Sequence, residues 1–393
     1  MSFDAAQSAR TTRPSQLRPA SLWSQYRLEL PPPATISRRG VAPPTSPSPS
    51  PFPRYGHALP VNANASGELF LFGGLARETV KNDVYSISVP DLTATLLHTR
   101  GDIPSPRVGH ASALVAKVLI IWGGDTRTRQ SRPGGKQDND LYMLNLISRE
   151  WTCVAVYGPA PVGRYGHAMT VVGSKIYMFG GQVDGVFFND LWSFDLHSLR
   201  KKPTWRLVEP VERYLRPPKR TSHTWITYEN RIILFGGADC DRHYSDTWEF
   251  DTTAKTWSEL NCTGIIPSPR EGHSAAIVGH IMYIFGGRGS DGRDLGDLFA
   301  FDISDRRWHS LENIGFAPSP RSGHAMASLD THVLVLGGLC EEQDRHGQDP
   351  EDLAVFHEFD TALTYAQFPD VRAYDRFSVA SSAYAETLPP YEP

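Results

Sequence analysis

The sequence predicts an all-β protein made of six copies of one four-stranded antiparallel sheet. Three observations support this: a Gly-Gly pair that recurs six times, an Arg and a His placed before each pair, and a composition rich in turn-forming and aromatic residues. The 393 residues include 33 Gly and 31 Pro, and 11% are Phe, Trp or Tyr. Many turns and many large flat side chains favour short strands.

The repeat is defined by an Arg, a His three residues later, and a Gly pair that ends a short apolar run. Five copies contain Arg-x-Gly-His, and the fourth reads Arg220-Thr221-Ser222-His223. The copies follow one another at 50 to 57 residues, which is typical of a repeat architecture. The motif residues, copy by copy, are Arg54, His57, Gly73, Gly74; Arg107, His110, Gly123, Gly124; Arg164, His167, Gly180, Gly181; Arg220, His223, Gly236, Gly237; Arg270, His273, Gly286, Gly287; and Arg321, His324, Gly337, Gly338.

Two further features follow each Gly pair. An Asp stands two residues before an aromatic residue in five copies, and a Trp follows in four. The sixth copy is degenerate at Asp352. The pairs are Asp83/Tyr85, Asp140/Tyr142, Asp190/Trp192, Asp246/Trp248 and Asp297/Phe299, and the later tryptophans are Trp151, Trp205, Trp257 and Trp308.

These features predict four strands per copy. Strand a begins at the Arg-x-Gly-His motif, strand b is the apolar run, strand c carries the Asp-x-aromatic segment, and strand d carries the Trp. The short connections favour antiparallel neighbours. One small sheet cannot bury both of its faces, so the copies must pack around an axis as the blades of a propeller.

The motifs match the kelch repeat, and residues 54–369 resemble a six-bladed kelch β-propeller. Residues 158–167, 179–185, 189–192 and 267–273 are similar to the fungal kelch-repeat cell-end marker proteins. This resemblance implies a non-enzymatic protein-interaction scaffold in cell polarity and morphogenesis at the cell cortex. Members of that group carry a long coiled coil that mediates self-association. Residues after 370 show no heptads, so that property is not expected here, and the oligomeric state stays open.

The chain outside the repeats divides into four segments. We expect a disordered arm over 1–20, a strand over 21–30 that closes the last blade, a Pro/Ser-rich linker over 31–53 and a disordered tail over 370–393. Eleven of the 31 prolines precede the first repeat, so the linker is expected to be solvated; its Ser-Pro steps are alternatively kinase substrates. The rival closing strand is 361–370 around Tyr365, but Trp23 and the alternating residues after it match strand d better.

The chemistry of the repeated residues favours a structural role. One His per blade spreads the imidazoles around a ring, whereas a metal ion needs ligands about 2 Å away. We therefore predict no catalytic residue, no cofactor and no metal site. The alternative is a kelch-fold enzyme or an iron-dependent specifier-type protein, for which the acidic loop over 341–346 is the candidate. A substrate adaptor would need a second domain for ligase recruitment.

Charge and composition narrow the partners and the location. The net charge of −4 disfavours a nucleic-acid partner, which would select a basic face. No apolar run is long enough to span a bilayer, so we expect no membrane insertion. The four Cys include no Cys-x-x-Cys pair, and a cytoplasmic location is expected, extending to the cortex or cell tip by the resemblance.

The b–c and d–a connections lie on one face by strand direction; we call it the loop face. The alternatives there are partner recognition and merely variable solvent loops. A basic b–c loop in the second copy favours docking of an acidic or phosphorylated segment of another protein. The candidate partner-binding residues are Arg127, Arg129, Arg132 and Lys136 in that loop, Phe187 and Phe188 in the third, Arg242 in the fourth, and Arg288 and Arg293 in the fifth.

Overall fold

The structure is a computed structural model, and it describes residues 21–36, 42–126, 137–212, 214–339 and 354–364. Six sheets of mainly antiparallel strands form the six blades of a β-propeller, which confirms the predicted fold class; only the short strands beside the outer strands of blades 2 and 5 pair parallel within the described residues. Two short 3₁₀ helices, Leu196–Arg200 and Thr361–Leu363, complete the regular structure of the described residues. Within those residues no helix has the length and apolar character that crossing a bilayer requires.

The first three blades follow the predicted order from the inner strand a to the outer strand d. In blade 1 the inner strand is reduced to isolated bridges at Tyr55 and Ala58. Strand β1 (Trp23–Arg27) precedes these blades in the chain. Blade 1 contains β2 (Glu68–Ala76), β3 (Thr79–Ser88) and β4 (Thr93–Leu97); blade 2 contains β5 (Arg100–Gly101), β6 (Ala111–Val115), β7 (Val118–Trp122), β8 (Leu141–Asn145) and β9 (Glu150–Val154); blade 3 contains β10 (Ala168–Val172), β11 (Lys175–Phe179), β14 (Leu191–Asp195) and β15 (Trp205–Leu207), with the hairpin β12 (Gln182–Val183) and β13 (Val186–Phe187) in its b–c loop.

The last three blades repeat the same arrangement. Their b strands are buried almost completely, since both faces of each blade are covered by neighbouring blades. The strands are β16 (Thr224–Tyr228), β17 (Arg231–Phe235), β18 (Thr247–Asp251) and β19 (Thr256–Glu259); β20 (Thr263–Gly264), β21 (Arg270–Glu271), β22 (Ser274–Val278), β23 (Ile281–Phe285), β24 (Arg288–Gly289), β25 (Leu298–Asp302) and β26 (Arg307–Leu311); and β27 (Ala325–Leu329), β28 (His332–Leu336) and β29 (Val355–Asp360).

The N-terminal strand β1 is the outer strand of blade 6. It pairs antiparallel with β29, with Trp23 opposite Phe359. The Trp23 side chain is fully buried, its ring centroid lies 5.1 Å from that of Phe359 and 5.6 Å from that of Phe285, and its indole N–H donates to Asn313 at 3.0 Å. Of the two candidate closing segments, the structure therefore has Trp23–Arg27 in this place, whereas residue 365 lies outside the described residues.

After β1 the chain crosses to blade 1 and runs along the outer strand of that blade. The N–H of Glu29 donates to Leu92 O at 2.7 Å, and the N–H of Ala34 donates to Leu96 O at 2.9 Å. The guanidinium of Arg149, in blade 2, donates to Ala34 O at 2.8 Å. One continuous segment thus links the last blade to the first two, and it covers an otherwise open edge.

Residues 48–53 pack on blade 1, which differs from the solvated linker expected over 31–53, whereas residues 42–47 are mostly exposed. Ser48 is 3% exposed, and its hydroxyl donates to Pro31 O at 2.5 Å and accepts from the Leu96 N–H at 3.1 Å. Phe52 is buried, and the Tyr85 hydroxyl donates to Pro49 O at 3.1 Å. Prolines carry no N–H, so such a segment lies against a sheet without donors to satisfy. The arm over 1–20 and the tail over 370–393 lie outside the described residues.

Replacement of Trp23 by Ala is expected to lower the free energy of unfolding by about 3 to 5 kcal/mol, because it empties the packed junction of blades 5 and 6. The measurement is urea unfolding followed by tryptophan fluorescence and circular dichroism. Ile147→Ala is the control, since Ile147 is 72% exposed and its truncation is expected to change stability by less than about 0.5 kcal/mol. Equal stability of Trp23→Ala and wild type would contradict a closing role for β1.

Candidate interaction surface

The motif arginines connect two loops within each blade; five of them are buried, and Arg321 is half-buried. In blade 4, Arg220 is fully buried; its Nε donates to Pro218 O at 3.2 Å and its Nη1 to Gly236 O at 2.8 Å. The same bond to the carbonyl of the first Gly occurs in all six copies, at 2.8 to 3.1 Å: Arg54 to Gly73, Arg107 to Gly123, Arg164 to Gly180, Arg220 to Gly236, Arg270 to Gly286 and Arg321 to Gly337. Each Arg therefore ties a d–a connection to a b–c loop.

A carboxylate neutralises the guanidinium in blades 1 to 5. The contacts measure 2.5 to 2.7 Å and join Arg54 to Asp83, Arg107 to Asp138, Arg164 to Asp190, Arg220 to Asp246 and Arg270 to Asp297. The second pair differs from the sequence motif, which selects Asp140. Instead, Asp138 binds the Arg and accepts from the Tyr142 hydroxyl and from the Asp140 N–H. The sixth-copy Asp352 lies outside the described residues.

The Gly pairs lie where neighbouring blades come closest. At Gly123, φ is +70°, and an added Cβ would lie 2.5 Å from Cε1 of His167. The second Gly donates its N–H to the motif Arg carbonyl of the following blade at 2.8 or 2.9 Å: Gly74 to Arg107, Gly124 to Arg164, Gly181 to Arg220, Gly237 to Arg270, Gly287 to Arg321 and Gly338 to Arg54. The last bond joins blade 6 to blade 1 and completes the ring.

A second ring of backbone hydrogen bonds lies closer to the axis. The residue before each motif His donates its N–H to the equivalent carbonyl of the preceding blade, at 2.7 to 2.9 Å, through Gly56, Gly109, Gly166, Ser222, Gly272 and Gly323 in turn. All six residues have φ between +54° and +67°. Ser222 holds this left-handed conformation with a side chain, at a cost that Gly avoids.

The motif histidines pack between neighbouring blades. Each of five rings meets, edge-on, the aromatic residue that ends strand b of the preceding blade, with centroids 4.9 to 5.6 Å apart: Phe72–His110, Trp122–His167, Phe179–His223, Phe235–His273 and Phe285–His324. Burial, reinforced by the neighbouring Arg charge, lowers the pKa of His57, His167 and His324 to about 3. These imidazoles are therefore neutral packing elements.

Two of the candidate partner-binding residues, Phe187 and Phe188, belong to the hairpin of blade 3 and are partly buried there. Phe188 lies with its ring 3.8 Å from the guanidinium carbon of Arg164 and covers that buried cation. Phe187, in β13, is half-buried, while its neighbour Val186 is 54% exposed. The hairpin of blade 3 thus presents Val186 to solvent and turns Phe188 inward.

The described basic candidates line the b–c loops of blades 4 and 5. Arg242 is exposed and lies 4.9 Å from the Tyr244 ring centroid, and Arg288 contacts Asp294 at 3.4 Å. The Arg293 side chain is 82% exposed. Arg127, Arg129, Arg132 and Lys136 lie outside the described residues. The structure thus places Arg242 and Arg293 on adjacent blades of the loop face.

Asp239, Cys240 and Asp241, in the b–c loop of blade 4, offer atoms within 4.8 Å of one another, as a metal site would. The Asp239 carboxylate already accepts from the Tyr244 hydroxyl and from the N–H groups of Asp241 and Arg242. This pattern is that of an Asx turn, so the cluster is accounted for by loop structure.

A cavity of about 270 Å³ lies at the junction of β1 and blade 6, with Gln25, Phe52, Arg321 and His357 in its wall. Burial lowers the pKa of His357 to about 4. Sequence motifs did not indicate this cavity, because its residues come from segments that are separated by some 300 positions and meet only when the ring closes.

Comparisons with known proteins identify the repeat. A family model described as the KLHDC2/KLHL20/DRC7 Kelch-repeats domain matches residues 56–209 and 130–338. The chain belongs to the kelch-repeat family. Kelch-repeat relatives include Tip elongation aberrant protein 1 of Schizosaccharomyces pombe, 38% identical over 73% of this chain, and Tip elongation aberrant protein 3 of the same organism, 31% identical over 68%. Kelch repeat-containing protein 2 of Saccharomyces cerevisiae is 34% identical over 74%.

This kelch chain spans only part of each of these relatives. The matched region is 25%, 26% and 34% of the length of Tip elongation aberrant proteins 1 and 3 and Kelch repeat-containing protein 2, respectively. The likeness therefore concerns the propeller.

Asp246→Asn is expected to lower the free energy of unfolding of the kelch propeller by about 3 kcal/mol, because it leaves the Arg220 charge buried and uncompensated. The measurement is the urea midpoint at constant slope. Asp291→Asn is the matched control: its pair with Arg293 is 3.8 Å long and both side chains are more than 60% exposed, so a change below about 0.5 kcal/mol is expected. Equal effects of the two substitutions would refute the structural role of the buried pair.

Acidification is expected to destabilise the propeller before the carboxylates titrate. A His whose folded-state pKa lies near 3, against 6.5 when unfolded, binds its proton only in the unfolded chain. The free energy of unfolding is therefore unaffected by this proton above pH 6.5. It falls by about 1.4 kcal/mol per pH unit for each such ring as the pH drops from 6.5 towards 3. Urea midpoints at pH 7, 6 and 5 measure this slope. The exposed His197→Gln control should retain it, whereas a flat profile would contradict burial of neutral imidazoles.

Proposed function

We propose that the protein is a non-enzymatic protein-interaction scaffold that acts in cell polarity and morphogenesis, in the cytoplasm and at the cell cortex or tip. The observation that carries this proposal is that structural and variable residues occupy different parts of each blade. Most of the repeated residues are buried and hold the ring together, while the exposed residues of the b–c loops differ from blade to blade. Recognition by such a ring resides in loops on a rigid scaffold.

The names of the relatives support a role in cell polarity. Two kelch-repeat relatives bear the name Tip elongation aberrant protein, which associates related propellers with growth at cell tips. The kelch region is what this chain shares with them, so the proposal assigns the setting to interactions made by the propeller.

The proposed partner is an acidic or phosphorylated segment that contacts the loop face. The exposed guanidinium groups of Arg242 and Arg293 lie on the b–c loops of adjacent blades. The b–c loop of blade 2 adds Arg127, Arg129, Arg132 and Lys136 by sequence. Arg binds carboxylates and phosphates through paired donors, which gives geometric specificity as well as attraction.

Changing Arg127, Arg129 and Arg132 together to Glu is expected to abolish pull-down of partners from cells, because it reverses the charge of the blade 2 loop. Quantitative mass spectrometry after pull-down or proximity labelling measures the loss, and thermal unfolding shows whether the fold persists. The matched control changes Lys117, Lys175 and Arg306 to Glu; these three exposed residues lie at the a–b and c–d connections or the strand end beside them, on the opposite face. Retained partners in the loop variant, or equal loss in both variants, would reject the proposed surface.

A further inference from the structure

Blade 6 departs from the other blades beside its motif Arg. In blades 1 to 5, the strand c residue that pairs with the position two before the first motif Gly is a large aromatic ring, and an Asp stands two residues earlier. The rings are Tyr85, Tyr142, Trp192, Trp248 and Phe299. In blade 6 the same register pairs Val335 with His357. His357 thus takes the place of the ring, and Val355 takes the place of the Asp.

In the other blades these two positions fill the space beside the guanidinium. The ring lies over Arg54 in blade 1 and over Arg270 in blade 5, with 5.5 and 5.4 Å between the guanidinium carbon and the ring centroid. The Trp192 and Trp248 indoles donate to the carboxylate that binds the Arg, both at 2.7 Å. An imidazole is smaller than these rings, and a Val side chain carries no charge. The strand c side chains of blade 6 therefore fill this space less completely.

The cavity of about 270 Å³ at the junction of β1 and blade 6 lies at this place. Its wall includes Arg321, Val355 and His357, together with Gln25 from the N-terminal strand. Arg321 is half-buried, whereas the other five motif arginines are at most 2% exposed, so the cavity gives access to its side chain. Pockets that enclose drug-sized ligands measure roughly 300 to 1,000 Å³. This cavity therefore fits a group the size of one side chain.

The wall combines a fixed cation with a polar atom that has no partner. The Arg321 guanidinium donates to Ser319 O at 3.0 Å, to Ser319 Oγ at 2.9 Å and to Gly337 O at 2.9 Å, which holds its charge in position. His357 is 8% exposed, and its Nδ1 is buried without a hydrogen-bond partner. A buried polar atom without a partner is costly, so a ligand that meets it gains stability. Phe316, also in the wall, is 68% exposed and gives the cavity an apolar rim.

We propose that this cavity binds a carboxylate, carried either by an Asp or Glu side chain of a partner protein or by a small free acid. The carboxylate would lie beside Arg321, in the place that Asp246 holds beside Arg220 in blade 4. His357 Nδ1 and the Gln25 amide would donate to it, and an apolar neighbour of the acid would contact Phe316. Arg recognises carboxylates through paired donors. The site is separate from the basic b–c loops and does not rest on the proposed function.

The probe is a tetrapeptide with Glu next to Leu, acetylated and amidated so that its only carboxylate is on the side chain. Its binding to the full chain is measured by isothermal titration calorimetry. We expect saturable binding, and the matched peptide with Gln in place of Glu should bind at least tenfold more weakly. Succinate, titrated in the same way, identifies the source: tighter binding than the peptide indicates a free acid, and weaker binding indicates a side chain. Equal affinity for the Glu and Gln peptides would overturn the proposal, as would absence of binding at millimolar peptide and succinate.

Substitutions in the wall locate the ligand. Val355→Asp places a carboxylate of the chain beside Arg321 and should weaken binding at least tenfold, whereas Val355→Asn, similar in size but uncharged, should change it less than threefold. His357→Phe fills the cavity with the ring that blade 5 carries and should also weaken binding.

Arg293→Glu, on the loop face, is the control for general charge attraction and should leave the affinity unchanged. Circular dichroism shows whether each variant keeps the fold. Unchanged affinity in folded Val355→Asp or His357→Phe would place the ligand outside the cavity and overturn the proposal. An equal loss in Arg293→Glu and Val355→Asp would overturn it as well.

Discussion

The buried guanidinium of the motif Arg is the interaction on which the rest of the molecule depends. It stands where the d–a connection, the b–c loop and strand c of one blade meet, and its donors engage a group from each, as Arg220 does with Pro218, Gly236 and Asp246. Removal of its carboxylate would leave a charge in a site closed to water, and a buried charge without a partner is strongly unfavourable. The backbone carbonyl of the same Arg accepts the N–H of the second motif Gly of the preceding blade.

Closure of the ring follows from the same geometry. Each blade offers a Gly N–H to the Arg carbonyl of the next, so the sixth bond, from Gly338 to Arg54, exists only if blade 1 returns to meet blade 6. The N-terminal strand reinforces that junction by completing blade 6 and continuing along blade 1. The first and last blades are thereby joined through backbone pairs at the axis and at the outer wall, which leaves no blade face open.

A ring built this way separates stability from recognition. The residues that repeat in every blade form hydrogen bonds within and between blades or pack as neutral imidazoles. Differences between blades are therefore confined to exposed loops and outer edges. Blade 6 is the exception, because Val355 and His357 stand where the other blades carry an Asp and an aromatic ring. The proposed loop face is a place where the repeat is broken.

The sequence by itself determined the six blades, their strand order and the Arg, His and Gly positions, because these follow from short-range spacing repeated six times. It assigned Asp140 where the structure pairs Arg107 with Asp138, and it treated residues 31–53 as a solvated linker although Ser48 is buried. It also grouped Phe188 with exposed residues, whereas the ring covers Arg164. Only the tertiary structure decided these points and the place of Trp23, because each depends on contacts between segments that the repeat spacing does not relate.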